Sequence, residues 1–116
     1  RKRGGRRRRR ENMTAARPET EQPKRGEVER RIAQIRVQMD ELDARLVSLL
    51  NQRATCAREI GTLKATVGLE VYQPEREVEV LKHARSKNAG PLGADAITRV
   101  FERIIDETRR LEHSVG

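Results

Sequence analysis

The 116-residue sequence has no tryptophan, one tyrosine, one phenylalanine, one cysteine and two histidines. Each scarcity excludes something. With so few aromatic side chains a core must be built from Leu, Ile and Val, and a single small helical chain buries only a modest one. Helical oligomers meet that limit by sharing a core, so self-association is expected. The lone Cys56 offers no disulfide and no metal cluster; on the apolar stripe of a helix it reads as a small core residue rather than a nucleophile. His83 and His113 are isolated, without ligand-spaced partners, so no metal site and no cofactor is expected. No apolar run reaches the length of a signal peptide or a membrane span, which leads to the expectation of a cytoplasmic protein.

The formal charge of +8 is unevenly spread. Residues 1–27 hold 11 Lys/Arg against 4 Asp/Glu, whereas residues 28–116 hold 15 against 14. The basicity is therefore in the first segment, "RKRGGRRRRRENMTAARPETEQPKRG". Low hydrophobicity, Pro, Gly and a block of like charge give it too little apolar surface to order itself, so 1–27 is expected to be a disordered basic tail ahead of one helical domain, 28–116. An arginine block can neutralise phosphates. No aromatic residue is interleaved for base stacking, however, so nucleic-acid binding is not the expected role. The alternative is a dispensable extension ahead of a start at Met13.

From Val28 the texture changes. Val28, Ile32, Ile35, Met39, Leu42, Leu46, Leu49, Arg53, Cys56, Ile60, Leu63 and Val67 are spaced by steps of four and three. A 3.5-residue period held over more than five heptads predicts a helix over about residues 28–66, with Gly68 as its stop. Such a helix is roughly 58 Å long, more than the remaining chain covers alone, so it bends back or a second copy covers it. Pro74 fits the first position of a second helix, with Val78, Leu81 and Ala84 on its apolar face. The segment "SKNAGPLGAD" breaks the pattern. A third helix follows, with Ile97, Phe101, Ile104, Thr108 and Leu111 on one stripe and Val100 and Ile105 beside it. The fold class is all-α with three helices, one very long, one short and one medium.

Arg53 falls on the apolar beat. A guanidinium on a buried seam costs several kcal/mol unless an anion meets it. That anion is either an Asp or Glu of a neighbouring helix or a bound ligand. Lys64, 11 residues on, is nearly three turns away and shares a face with Arg53 at about 16 Å. Two long side chains leaning inward can grip a small dianion between them. Arg36 lies 17 residues before Arg53, about 26 Å along the axis. One chain cannot bring it to the same small ligand, but an antiparallel partner helix can.

The series Arg36, Arg53, Lys64 and Arg76-Glu77, set in "LDARLVSLLNQR", "EIGTLK" and "PEREVEVL" and followed by "ITRVFERIIDET", resembles the all-helical chorismate mutases. The resemblance covers about residues 29–113. It implies an intertwined, domain-swapped homodimer with two sites and the Claisen rearrangement of chorismate to prephenate, on the route to Phe and Tyr. A pericyclic reaction requires no nucleophile, metal or cofactor. It requires a flexible dicarboxylate held in a chair-like geometry and positive charge where the breaking C–O bond builds negative charge. The resemblance assigns Arg53, and Arg36 from the partner chain, to the substrate carboxylates. Planar guanidinium forks suit that task. Lys64 goes to the ether oxygen and a carboxylate, Glu77 to the ring hydroxyl and Thr108 to a carboxylate, with Arg76 and Gln73 also among the substrate-binding residues.

Two positions depart from the family's best-known bacterial pattern. Gln73 stands where many members have Asp, and Gln is a poorer cap for the second helix. Glu112 stands where some bacterial members have Gln facing the ether oxygen, whereas fungal members have Glu. A carboxylate there repels the developing charge and, once protonated, donates a hydrogen bond instead, so activity is expected to rise toward acidic pH. Isochorismate-pyruvate lyase and aminodeoxychorismate mutase share the scaffold and the cationic cage, and are the nearest alternatives. A helical module docking on a shikimate-pathway enzyme is a third, and a nucleic-acid-binding coiled coil a fourth. The last gives no reason for Arg53.

Overall fold

The computed structural model describes residues 22–114. Most of the basic segment, residues 1–21, lies outside the described residues. Among the described residues there are three helices and no strand: α1, Arg25–Val67; α2, Pro74–Lys87; and α3, Ala94–His113. None is long and apolar enough to cross a membrane. Two compact units divide the chain between Asp43 and Ala44.

In the first unit, α1 begins three residues ahead of the expected Val28. The reason is local. Glu27 reaches back so that its Oε1 accepts the Lys24 backbone N–H at 2.9 Å, while the Lys24 carbonyl accepts the Val28 N–H at 3.0 Å. The first bond satisfies a donor that a helix start otherwise leaves unpaired, and the second is the first internal bond of the helix. The acidic side chain also suits the positive end of the helix dipole. The Arg25–Glu29 ion pair one turn on is largely solvated and adds little. Along this part of α1, Val28, Ile32, Ile35, Met39 and Leu42 are all exposed.

In the second unit, α1 stops at Gly68 as its sequence predicts. Gly68 has φ +71°, a left-handed conformation costly for any residue with a Cβ, and the Leu69 N–H closes back onto the Lys64 carbonyl at 2.9 Å. Helix α2 starts with Pro74 in its first turn. Gln73 at the cap position makes no side-chain capping bond; its backbone carbonyl alone accepts the Arg76 and Glu77 N–H groups. Beyond α2, Asn88 folds the turn, its side chain accepting from Gly90 N–H and donating to the Leu92 carbonyl.

Helices α2 and α3 run antiparallel. Glu77 near the start of α2 meets Arg109 near the end of α3, and Arg85 near the end of α2 meets Thr98 near the start of α3. The apolar stripe of α3 lies where the sequence reading places it, with Ile97, Phe101, Ile104, Thr108 and Leu111 all half-buried, and its two flanks differ. Ile105 is its buried residue, whereas Val100 is half exposed. A stripe wide enough for both edges in sequence is resolved only by which edge meets a neighbour.

The core of a single chain is thin. Among the described hydrophobic residues only Ala57, Ala84 and Ile105 are buried, and no side chain is fully so. Leu46, Leu49 and Leu63, on the heptad beat, remain 56%, 59% and 63% exposed. Cys56, expected in the core, is exposed as well.

Candidate active site

The second unit holds a cleft of about 350 Å³ lined from all three helices and the α1–α2 loop. From α1 come Arg53, Cys56, Ala57, Ile60 and Lys64, residues spaced by three, one, three and four, which one helical face presents together. The small Ala57 leaves room between the long cations on either side of it. From α2 come Arg76, Glu77 and Val80, preceded by Gln73, and from α3 come Ile105, Thr108, Arg109 and Glu112. Apolar and charged side chains line it together, the usual construction of a small-ligand site.

Seven of the eight residues singled out in the sequence line this one cleft. Arg36 does not; it is an exposed residue of the first unit. Cys56 belongs to the cleft wall rather than to a core.

Arg53 is half-buried, and its Nη1 donates to Thr108 Oγ1 at 3.4 Å. The Thr108 hydroxyl in turn donates to the Ile104 carbonyl at 2.9 Å or the Ile105 carbonyl at 3.2 Å, which leaves its lone pairs to the guanidinium. Among the described residues no carboxylate pairs with Arg53.

The other cleft cations have carboxylate partners. Lys64 Nζ lies 3.3 Å from Glu112 Oε2 and donates to the Val71 carbonyl at 3.1 Å, with both charged side chains largely buried. One ammonium thereby ties α1 to α3 and pins the α1–α2 loop. Arg76 Nη1 pairs with Glu79 at 3.3 Å on the exposed side of α2. Arg109, which sequence reasoning missed, donates to Glu77 Oε2 through Nε at 3.0 Å and Nη2 at 2.7 Å. Its guanidinium also lies 5.2 Å from the Tyr72 ring centroid, within cation–π range. The available signal was spacing: Ile105, Thr108, Arg109 and Glu112 fall at i, i+3, i+4 and i+7, a face offset from the stripe read in the sequence.

Among the described residues, then, the three helices form a domain whose cleft pairs its carboxylates with cations and leaves Arg53 without one. The sequence profile of chorismate mutase type II matches residues 35–113. The bifunctional chorismate mutase/prephenate dehydratase of Neisseria gonorrhoeae is 42% identical over 74 residues, covering 64% of this chain but 20% of that protein. The chorismate mutase of Methanocaldococcus jannaschii is 29% identical over 90 residues, covering 71% of this chain and 84% of that protein. Among solved structures, chorismate mutase (Form II) from Thermus thermophilus superposes with a TM-score of 0.70 at 32% identity, covering 72% of this chain and 94% of that one. The chain spans about a quarter or less of the bifunctional relatives, 20% and 23% for the Neisseria and Stutzerimonas stutzeri proteins. The chain belongs to the chorismate mutase type II family.

The Arg109–Glu77 pair is more enclosed than Arg103–Glu107 on the outer face of α3, with side chains 31% and 26% exposed against 68% and 47%. Desolvation and two-point geometry should make it the stronger pair. A double-mutant cycle in urea is expected to give about 1–2 kcal/mol of coupling for Arg109–Glu77 and no more than about 0.5 kcal/mol for Arg103–Glu107.

Proposed function

We propose that this chain catalyses the rearrangement of chorismate to prephenate, as a homodimer in which each cleft is completed by Arg36 of the second copy. The observation that carries the reading is Arg53, a half-buried guanidinium over the cleft with no carboxylate partner among the described residues. A substrate carboxylate supplies the missing charge, received bidentately by the planar fork while Thr108 holds the fork in place. Lys64 has three donors; two serve Val71 and Glu112, and the third is available to the ether oxygen whose C–O bond breaks. Glu77 takes the ring hydroxyl, and Gln73 and Arg76 border the opening. Nothing is transferred to or from the protein in such a reaction. Its rate derives from holding the reacting carbons together and from placing a cation where negative charge builds.

The dimer half of the proposal is supported by the uncovered heptad stripe of α1 and by a second space of about 500 Å³ beside Arg53 and Arg76. Val80, Ala84, Ile97 and Phe101 are among the residues lining that space, a surface suited to an amphipathic helix of a second copy. Residues 28–116 would then be the catalytic segment, with the basic tail not required. A cytoplasmic location goes with this reading.

Chorismate loss and prephenate formation, followed with purified protein, test the activity directly. Conversion is expected, with kcat lowered at least about a hundredfold in Lys64→Ala. No conversion of chorismate by the parent protein refutes the reading. The dimer is tested by mixing two variants, Arg36→Ala and Lys64→Ala, each nearly inactive alone. Half of the mixed dimers' sites then carry both side chains intact, so recovery to roughly a quarter of the parent activity is expected after unfolding and refolding the mixture. Sites complete within one chain give no recovery.

A further inference from the structure

Arg109 is the one cation of the cleft to which neither the resemblance nor the mechanism above gives a task. We infer that Arg109 is a positioning residue: it holds Glu77 as an oriented anion whose second oxygen receives the ring hydroxyl, and so sets the preference for a hydroxylated ring. The inference rests on the chorismate reading and deepens it.

The geometry supports this in three ways. Both guanidinium bonds fall on the same carboxylate oxygen, Oε2, at 3.0 and 2.7 Å. Among the described residues Oε1 has no hydrogen-bond partner, so one half of the carboxylate is fixed and the other half remains an acceptor. Arg109 is itself held, by Asp106 at 3.4 Å one turn back on α3 and by the Tyr72 ring on its face. A guanidinium fixed in this way transmits its position to the carboxylate it grips.

Charge gives the second reason. A lone carboxylate turned toward a dianionic substrate would weaken binding by like-charge repulsion. Arg109 offsets that charge locally, so Glu77 serves as a hydrogen-bond acceptor without adding net negative charge to the cleft. Sites that hydrogen-bond a substrate hydroxyl reject an analogue lacking it, because the buried acceptor is then left unpaired. In this chain that rejection would depend on Arg109 as much as on Glu77. A clamp with no such role would only fasten α2 to α3, and the two cases separate experimentally.

The test compares kcat/KM for chorismate and for a chorismate analogue with hydrogen in place of the ring hydroxyl. The full chain and the variants Arg109→Met, Arg109→Lys, Glu77→Gln and the Arg109→Met/Glu77→Gln pair are measured. Arg109→Met is expected to lower kcat/KM for both compounds, because Glu77 then stands uncompensated before either dianion, but to lower it about tenfold more for chorismate than for the analogue, which collapses the preference. Arg109→Lys, which keeps the charge without the fork, should fall between. Glu77→Gln should account for the whole effect, so that the double variant is no worse than Glu77→Gln alone. Parallel losses for both substrates, or independent losses that multiply in the double variant, overturn the inference. If Arg109→Met does not fold, an unchanged preference in Arg109→Lys overturns it equally. A parent protein that converts neither compound refutes the functional reading itself, an outcome distinct from an altered preference.

Discussion

A guanidinium on an apolar helix seam, met by a hydroxyl instead of a carboxylate, is the constraint on which the rest of the cleft depends. Lys64 has Glu112, Arg109 has Glu77 and Arg76 has Glu79; Arg53 has Thr108. The interaction with a neutral hydroxyl is weaker than the charge-assisted bonds around it. A half-buried cation so poorly compensated is a cost to the folded chain and an advantage to an anionic ligand. The same arithmetic explains the paired carboxylates. In the proposed reading, Glu77 and Glu112 can sit in a cleft that takes a dianion because each brings its own counter-charge.

A second constraint is the thinness of the core. Local devices define the helices firmly: the Glu27 back-bond at the start of α1, the left-handed Gly68 at its end, and Pro74 at the start of α2. They do not cover the heptad face of α1, where leucines more than half exposed recur on the beat. Contiguous apolar surface of that kind marks an interaction face in a native protein. Shared burial would contribute stability, and it would also bring a second copy's Arg36 toward the substrate. In that reading, assembly and catalysis follow from one uncovered stripe.

Much of this was legible in the chain. The 3.5-residue period, Gly68, Pro74 and the Asn-Ala-Gly-Pro break located three helices, because helix boundaries are set by local chemistry. Arg53 was found because a cation on an apolar beat is a conflict visible in one dimension, and Lys64 because its 11-residue spacing puts it on the same helical face. What escaped depended on packing. The Arg109–Glu77 bond joins residues 32 positions apart and the Tyr72 contact comes from a loop, so neither follows from the periodicity of either helix. Which flank of the α3 stripe is covered, Ile105 rather than Val100, is likewise set by its neighbour. Cys56 misled because a position on the beat was taken as a position in a core, whereas that part of the stripe opens onto the cleft. The early start of α1 was missed because a single glutamate bond extended it.

The most direct measurement restores the pattern that Arg53 interrupts. In an Arg53→Leu variant the seam gains the residue its period calls for, and thermal unfolding and chorismate turnover are recorded on the same sample. If Arg53 is retained for a ligand at the expense of the fold, the melting temperature rises or holds while turnover is lost. A melting temperature that falls, with turnover retained, would show that Arg53 serves the fold instead and would contradict the account.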